Sequence, residues 1–227
     1  MSVLHVMESG KEPVEARLGS VLAARGLTIA CAESCTGGLV TSRLTDVAGS
    51  SAYVMGSIVS YSNEVKEKLV GVQHVTLAAH GAVSEETARE MAEGVRRAVG
   101  TDVGLATTGI AGPGGGTAEK PVGLVYTAAS GPWGTVVREN HFRGTRMEAK
   151  QQASETVLAM ALDALTEKEK AESQQDKRGT GRQKHEDDNH RHRRRHGLGQ
   201  IDIHEPAQSV FRRPHHGHVS RQLLSAA

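Results

Sequence analysis

The amino-acid sequence predicts a three-layer α/β domain with a mixed sheet, followed by a disordered C-terminal tail. Helical and strand patterns alternate along the body of the chain, and the last two strand patterns are joined by a short Gly-Pro-Trp-Gly connection. The composition then changes sharply near residue 167, from apolar and glycine-rich to strongly charged. Interleaved helices and strands are typical of a sheet covered by helices on both faces.

The first elements follow from apolar spacing and from glycines. Apolar residues at helical intervals predict a helix over Glu12–Ala24, and Gly26 ends it because glycine suits the left-handed position after a helix. A short apolar run predicts the first strand, and a polar, glycine-containing turn leads from it into the next helix. The elements of this half are a strand at Leu27–Ala32, a turn at Glu33–Gly38, a helix through Leu39, Val40 and Leu44, and a strand at Tyr53–Tyr61.

The second half begins with two capped helices. Ser62 or Asn63 can cap a short helix over Glu64–Leu69, and Ser84 opens a longer helix that stops at Gly100. The remaining elements are a strand at Val103–Thr107, a long loop at Thr108–Gly116, an antiparallel hairpin of Val122–Ala129 and Thr135–Phe142, and a helix from Arg146 to about Leu165.

Three regions are expected along the chain. Residues 1–11 form an N-terminal extension, residues 12–166 the folded domain, and residues 167–227 an Arg/His-rich tail that holds eight of the twelve histidines. The tail lacks the apolar residues needed to form a core, which predicts disorder. Its basic cluster allows binding to nucleic acid, but a solvated appendage is the favoured interpretation. The net charge of +1 averages these unlike regions.

The sequence favours a cytoplasmic protein without a membrane segment. It shows no signal peptide pattern, and no apolar run approaches the roughly 20 residues needed to cross a bilayer. Its two cysteines, Cys31 and Cys35, do not form a disulfide framework. The histidines of the body are scattered without metal-ligand spacing, so no metal site is expected: they are His5, His74, His80 and His141.

The turn after the first strand is the leading candidate for a nucleophile. Ser34 lies where a strand ends and a helix begins, beside backbone N–H groups that can bind an anion or an oxyanion. Helix capping by Ser34 and Thr36 explains the same residues about as well. Cys35 competes with Ser34 as nucleophile, since a helix N-terminus can lower a thiol pKa. Packing is the favoured role for both cysteines.

A second candidate segment follows the second strand. Lys66 is placed at the same sheet edge as Ser34, and a lysine with a lowered pKa can act as the base for a serine. Tyr61 can relay a proton or hold a substrate. A solvated helix lysine is the usual explanation for a single lysine, and only the separate serine turn favours the catalytic interpretation.

Two further segments suit an anionic ligand. The loop over Thr108–Gly116 is dense in glycine, which permits close approach of the backbone to phosphate, although a flexible connector explains it equally well. It matches neither a Walker loop nor a dinucleotide fingerprint. The basic turn over Phe142–Arg146 leads to Lys150 and suits a phosphate or a carboxylate. Either Arg143 or Arg146 is the candidate phosphate ligand.

Together these segments resemble the CinA C-terminal domain family of nicotinamide-nucleotide amidohydrolases. The resemblance runs in order across roughly residues 12–165 and does not extend to the tail. The matching stretches are Ala32–Gly38, Asp46–Ser51, Tyr61–Lys66, His80–Ser84, Thr108–Gly116, Lys120–Gly123 and Phe142–Arg146.

The resemblance implies conversion of nicotinamide mononucleotide to nicotinate mononucleotide and ammonia, without a cofactor. It implies Ser34 as the nucleophile, assisted by Lys66 and Tyr61. The chain is similar to the stand-alone form of the family. Separately, a homodimer is expected because a small domain of this class leaves sheet and helix faces exposed. The alternative is a non-catalytic nucleotide-binding or competence-associated module. The expected substrate-binding residues are Glu33, Thr36, Gly37, Gly38, Thr108, Gly109, Gly112 and Arg146.

Overall fold

The computed structural model describes residues 12–167. The expected N-terminal extension and nearly all of the tail lie outside the described residues. The helices are α1 (Val14–Arg25), α2 (Leu39–Thr45), α3 (Asn63–Val65), α4 (His74–His80), α5 (Glu85–Val99) and α6 (residues 146–167, to the end of the described chain). The strands are β1 (Ile29–Glu33), β2 (Val54–Val59), β3 (Val103–Gly109), β4 (Leu124–Gly131) and β5 (Gly134–His141).

The five strands form one mixed sheet in the order β2-β1-β3-β4-β5, which confirms the predicted fold class. β1 pairs in parallel with both β2 and β3, whereas β3–β4 and β4–β5 are antiparallel. The predicted hairpin is therefore the β4–β5 pair. Because β1, β2 and β3 are parallel and adjacent, their carboxyl ends meet at one edge of the sheet, where open α/β sheets bind ligands.

Helices cover both faces of the sheet. Alternate residues of β1 point to opposite sides, so that Ile29 and Cys31 pack in one core while Ala30 and Ala32 pack in the other. The first core also contains residues of α1, α2 and α6, and the second contains residues of α5. The small alanines on the second face allow α5 to pack closely against the centre of the sheet.

Local signals located most helix boundaries correctly. Gly26 adopts the left-handed conformation after α1, and Ser84 caps α5 by accepting a hydrogen bond from the Thr87 N–H at 3.2 Å. The seven-residue helix α4 was not predicted from the sequence. The short helix expected over Glu64–Leu69 is α3 followed by a π-helical turn over Lys66–Val70. Within residues 12–167, no helix combines the length and the apolar character needed to cross a membrane.

Candidate active site

A cavity of about 230 Å³ opens where the parallel strands end. Ser34 follows β1, Lys66 lies just beyond β2, and Thr108 and Gly109 end β3. The sheet topology therefore brings together three segments that are far apart in the sequence. The lining residues are Ser34, Cys35, Tyr61, Lys66, Ala82, Val83, Thr108, Gly109, Ala111 and Arg146.

Ser34 and Lys66 form a direct contact in this cavity. The Lys66 Nζ atom lies 3.1 Å from Ser34 Oγ and 2.7 Å from the carbonyl oxygen of Ser60. Ser34 is 9% exposed and Lys66 is 1% exposed. The Ser60 carbonyl fixes the lysine side chain from one side, which leaves its nitrogen directed at the serine hydroxyl. This distance is within the reach required for proton transfer between a nucleophile and its base.

The environment of Lys66 favours its neutral form. Burial lowers the pKa of the Lys66 ammonium from its ordinary value, because a charged amine loses its hydration there. Lys66 also begins the π-helical turn, a distortion that is frequent at functional sites. A lysine with a lowered pKa can accept the proton of a serine hydroxyl.

Glu33 was expected to be a substrate ligand, but it does not line the cavity. Its carboxylate is 1% exposed and accepts five hydrogen bonds from the segment that follows it. The donors are the Thr36 and Thr41 hydroxyls and the N–H groups of Gly38, Val40 and Thr41. Glu33 therefore satisfies the N–H groups at the start of α2 and fixes the turn that carries Ser34.

Replacing Glu33 with glutamine is expected to lower the free energy of unfolding by about 1–3 kcal/mol. The glutamine amide NH₂ would face N–H and O–H donors, so that at least one buried donor would lose its acceptor. Denaturant unfolding followed by circular dichroism measures the change. Glu119→Gln is a matched control, because Glu119 is exposed and has no hydrogen bond or ion pair within the described part of the chain. Equal stability of the Glu33 variant and the parent would contradict this role.

Thr36, Gly37 and Gly38 form the turn and are absent from the cavity lining. The Thr36 hydroxyl is fully buried and bonds both Glu33 and the Thr107 hydroxyl, at 2.7 Å each. Gly37 and Gly38 have φ angles of +63° and +97°, which favour glycine. The Gly38 N–H donates to Glu33, so the expected contact of Gly38 with a bound oxyanion is not supported. The Thr36 hydroxyl is likewise already bonded, to Glu33 and Thr107.

The glycine-rich loop contributes one wall of the cavity. The Thr108 hydroxyl donates to the Ala82 carbonyl at 2.7 Å, which joins the end of β3 to the segment before α5. A Cβ atom on Gly109 would lie 2.6 Å from backbone atoms of β4, so this glycine is required for close strand packing. Gly112 is not among the cavity residues; its carbonyl accepts a hydrogen bond from Arg146 at 2.9 Å. Packing therefore explains Gly109, and a φ angle of +81° explains Gly112.

Arg146 is the arginine of the basic turn that reaches the cavity. Its guanidinium contacts the Gly112 carbonyl and, at 3.4 Å, the Tyr61 hydroxyl. Tyr61 lines the cavity but is 65% exposed, and among the described residues its hydroxyl has no hydrogen bond to the dyad. Arg143 is exposed and does not line the cavity, and its carbonyl accepts from Gln152.

A model of the CinA C-terminal domain family matches residues 11–165. This match covers well over half of the chain and includes every residue that lines the cavity.

The chain belongs to the CinA C-terminal domain family.

Sequence relatives agree with this assignment. A putative competence-damage inducible protein from Moorella thermoacetica is 51% identical over 161 residues, which are 71% of this chain and 39% of that protein. A CinA-like protein from Syntrophus aciditrophicus is 53% identical over 150 residues, which are 66% of this chain and 36% of that protein. The chain thus spans about two-fifths of the length of these relatives.

Solved structures of CinA-type proteins share the fold. The competence/damage inducible protein CihA from Agrobacterium tumefaciens has a TM-score of 0.63 and 40% identity. The match covers 70% of this chain and 99% of that one. A competence-damaged protein (CinA) superfamily member from Enterobacter cloacae has a TM-score of 0.66 and 32% identity, and covers 73% and 98% of the two chains.

Cys35 lines the cavity of this CinA domain next to Ser34, but its chemistry does not suit a nucleophile. It is 6% exposed, and burial raises the pKa of its thiol to about 11. Cys31 is also buried, and burial raises its thiol pKa far above the ordinary value. Both thiols are therefore protonated at neutral pH, and the reactive form of cysteine is the thiolate. These observations favour packing roles for both cysteines.

Sequence reasoning missed the apolar wall of the site. Ala82, Val83 and Ala111 line the cavity beside the polar residues. Ala82 and Val83 lie in the His80–Ser84 stretch that resembles the family, but no chemical signal assigned them a role. Small apolar residues such as Ala82 and Val83 can be assigned to a binding site only after the sheet topology has placed them beside the strand ends. Within residues 12–167, no cluster of three His, Cys, Asp or Glu side chains could hold a metal ion.

Proposed function

We propose that this domain hydrolyses the carboxamide of nicotinamide mononucleotide to give nicotinate mononucleotide and ammonia. The observation that carries the proposal is the contact of 3.1 Å between Ser34 Oγ and Lys66 Nζ, both buried at the carboxyl edge of the sheet. A serine paired with a lysine of lowered pKa is an arrangement used for acyl transfer. The resemblance to the nicotinamide-nucleotide amidohydrolases supplies the substrate.

In the first half of the reaction, neutral Lys66 accepts the proton of the Ser34 hydroxyl. Ser34 Oγ forms a bond to the carboxamide carbon, and the carbonyl oxygen becomes an oxyanion. The C–N bond then breaks, and Lys66 returns the proton to the leaving nitrogen so that ammonia departs. This half leaves an ester between Ser34 and the carbonyl carbon of the mononucleotide.

In the second half, water replaces ammonia. Neutral Lys66 accepts a proton from the water, whose oxygen attacks the ester carbon. The bond to Ser34 Oγ breaks, and Lys66 returns the proton to Ser34. Nicotinate mononucleotide is released and the dyad is restored. The scheme requires neither a metal nor a redox cofactor.

Backbone N–H groups of the Ser34 turn are proposed to stabilise the oxyanion. The Gly38 N–H is unsuitable because it donates to Glu33, whereas those of Thr36 and Gly37 do not. One such donor typically contributes about 3 kcal/mol to transition-state stabilisation. Glu33 acts here as a positioning residue, since it fixes the turn without contacting the substrate.

The rest of the cavity suits a pyridine ring bearing a charged substituent. Ala82, Val83 and Ala111 offer an apolar surface for the ring. Arg146 supplies a guanidinium for the phosphate, a pairing that arginine favours. Tyr61 is proposed to hold the substrate, because its hydroxyl contacts Arg146 rather than the dyad.

The purified chain is expected to release one ammonia per nicotinamide mononucleotide consumed. A glutamate dehydrogenase-coupled assay measures the ammonia, and chromatography identifies nicotinate mononucleotide. Catalytic turnover of the parent with both products supports the proposal. Binding of the nucleotide without any turnover would contradict it and favour the non-catalytic nucleotide-binding module.

A further inference from the structure

Lys150 lies one helical turn beyond Arg146 on α6, next to the turn that carries the nucleophile. Residues four apart on a helix share a face, about 6 Å apart along the axis. Arg146 lines the cavity, so Lys150 extends the same face toward the Ser34 turn. Its Nζ atom lies 3.8 Å from the position that a Cβ atom on Gly37 would occupy. Lys150 is not among the residues that line the cavity itself, so its positive charge lies beyond Arg146, next to Gly37.

The Lys150 ammonium has no hydrogen bond or ion pair with any residue in the range 12–167, although its side chain is partly buried. The other lysines near the site have acceptors. Lys66 Nζ bonds the Ser60 carbonyl and Ser34, and Lys120 Nζ donates to the His80 carbonyl at 2.6 Å. A partly buried cation that lacks an acceptor retains all three N–H donors for an anion.

Arg146 is already engaged with the protein. Its Nη1 donates to the Gly112 carbonyl, and its Nη2 contacts the Tyr61 hydroxyl. These contacts hold the guanidinium across the cavity and leave fewer donors for a ligand. A phosphate monoester carries nearly two negative charges at neutral pH, so a single, partly committed arginine compensates only part of its charge.

We propose that Lys150 binds the phosphate monoester of the substrate together with Arg146, and that it makes the enzyme selective for the nucleotide over the corresponding riboside. This inference rests on the proposed amidohydrolase function. The carboxamide must lie at Ser34, while the phosphate is carried by the ribose at the other end of the ligand. Gly37 has no side chain and is exposed, so it leaves Lys150 accessible to the phosphate.

Lys150→Met is expected to raise the KM for nicotinamide mononucleotide about 10- to 100-fold, the usual effect of losing one charge-assisted contact. The kcat for nicotinamide mononucleotide should change little, because the phosphate takes no part in the bond changes. The kcat/KM for nicotinamide riboside should also change little, because the riboside has no phosphate. Lys150→Arg should restore most of the affinity. Arg97→Met is the control, since it removes the same charge from an exposed residue in the last turn of α5.

A binding experiment separates this inference from the proposed function. Isothermal titration calorimetry with ribose 5-phosphate measures affinity without turnover. Weaker binding by Lys150→Met than by the parent and Arg97→Met supports the phosphate contact, even if the parent releases no ammonia. Equal affinity of all three proteins, or equal loss of activity toward nucleotide and riboside in Lys150→Met, would overturn it while leaving the deamidation proposal intact.

Discussion

Ser34→Ala is expected to lower kcat for nicotinamide mononucleotide by about 10⁴- to 10⁶-fold, the loss seen when a serine nucleophile is removed. The variant keeps Lys66 and the cavity but lacks the oxygen that forms the ester. The fold should persist, because the Ser34 backbone N–H still donates to the Thr107 carbonyl and Glu33 still fixes the turn. Ammonia release by the parent and the variant measures the effect, and matching circular dichroism spectra show that the fold is retained.

Two control variants make this result specific. Ser57→Ala removes a hydroxyl from an exposed position of β2 and should leave kcat unchanged. Cys35→Ser tests the neighbouring thiol, and kcat within a few-fold of the parent is expected. Parent-like activity of Ser34→Ala, or loss of turnover in Cys35→Ser with the fold retained, would show that Ser34 is not the nucleophile.

Lys66→Met is expected to lower kcat by about 10²- to 10⁴-fold, the contribution typical of a general base. Methionine has a similar length and suits a residue that is 1% exposed, so the cavity should remain filled. The loss therefore reports the missing base rather than a collapsed site. Lys68→Met, on the exposed side of the same π-helical turn, is the matched control. Full activity of Lys66→Met would contradict the dyad.

The pKa of Lys66 predicts how the activity of the parent depends on pH. Only neutral Lys66 can accept the Ser34 proton, so kcat/KM should rise with pH through the lowered pKa of Lys66. This rise should be centred below about 10.4, the ordinary lysine value. The same rise should occur in Lys68→Met and disappear from the residual activity of Lys66→Met. A pH–rate profile of the three proteins provides the measurement.

The free energy of unfolding should also depend on the protonation of Lys66. Between the lowered pKa of folded Lys66 and about 10.4, the unfolded chain holds a proton that the folded protein has released. The free energy of unfolding therefore gains a contribution that rises with pH across this window. Below the window the buried ammonium disfavours the folded state, and Lys66→Met removes that penalty. Denaturant titrations at several pH values should show a smaller rise for Lys66→Met than for the parent.

The sequence contained enough information to bring Ser34 and Lys66 together. Both follow predicted parallel strands, and the carboxyl ends of such strands share one edge. The resemblance to a family then indicated that this serine and this lysine act together as a catalytic dyad. The 3.1 Å contact itself depends on the register of β1 and β2 and on the π-helical turn. Neither has a recognisable sequence signal, so the contact could not have been derived from the sequence.

Several of the expected substrate-binding residues make contacts within the protein that account for them. Glu33 precedes the nucleophile and was among the expected substrate-binding residues, yet its side chain turns toward the start of α2 and accepts five hydrogen bonds there. Gly109 and Gly112 suggested phosphate binding; Gly109 does line the cavity and is also required by packing against β4, whereas the φ angle of +81° accounts for Gly112. In both cases several explanations fit the same residue type, and only tertiary contacts distinguish them.

In the proposed mechanism, the acyl group of the mononucleotide forms an ester with Ser34. Acid quenching during turnover of nicotinamide mononucleotide, followed by peptide mass spectrometry, tests this step most directly. A parallel reaction contains hydroxylamine, which intercepts the ester. We expect the mononucleotide acyl group on the peptide containing Ser34, and the corresponding hydroxamate as a product of the parent. An acyl group on Cys35, or turnover that yields neither an acylated Ser34 nor a hydroxamate, would contradict the account.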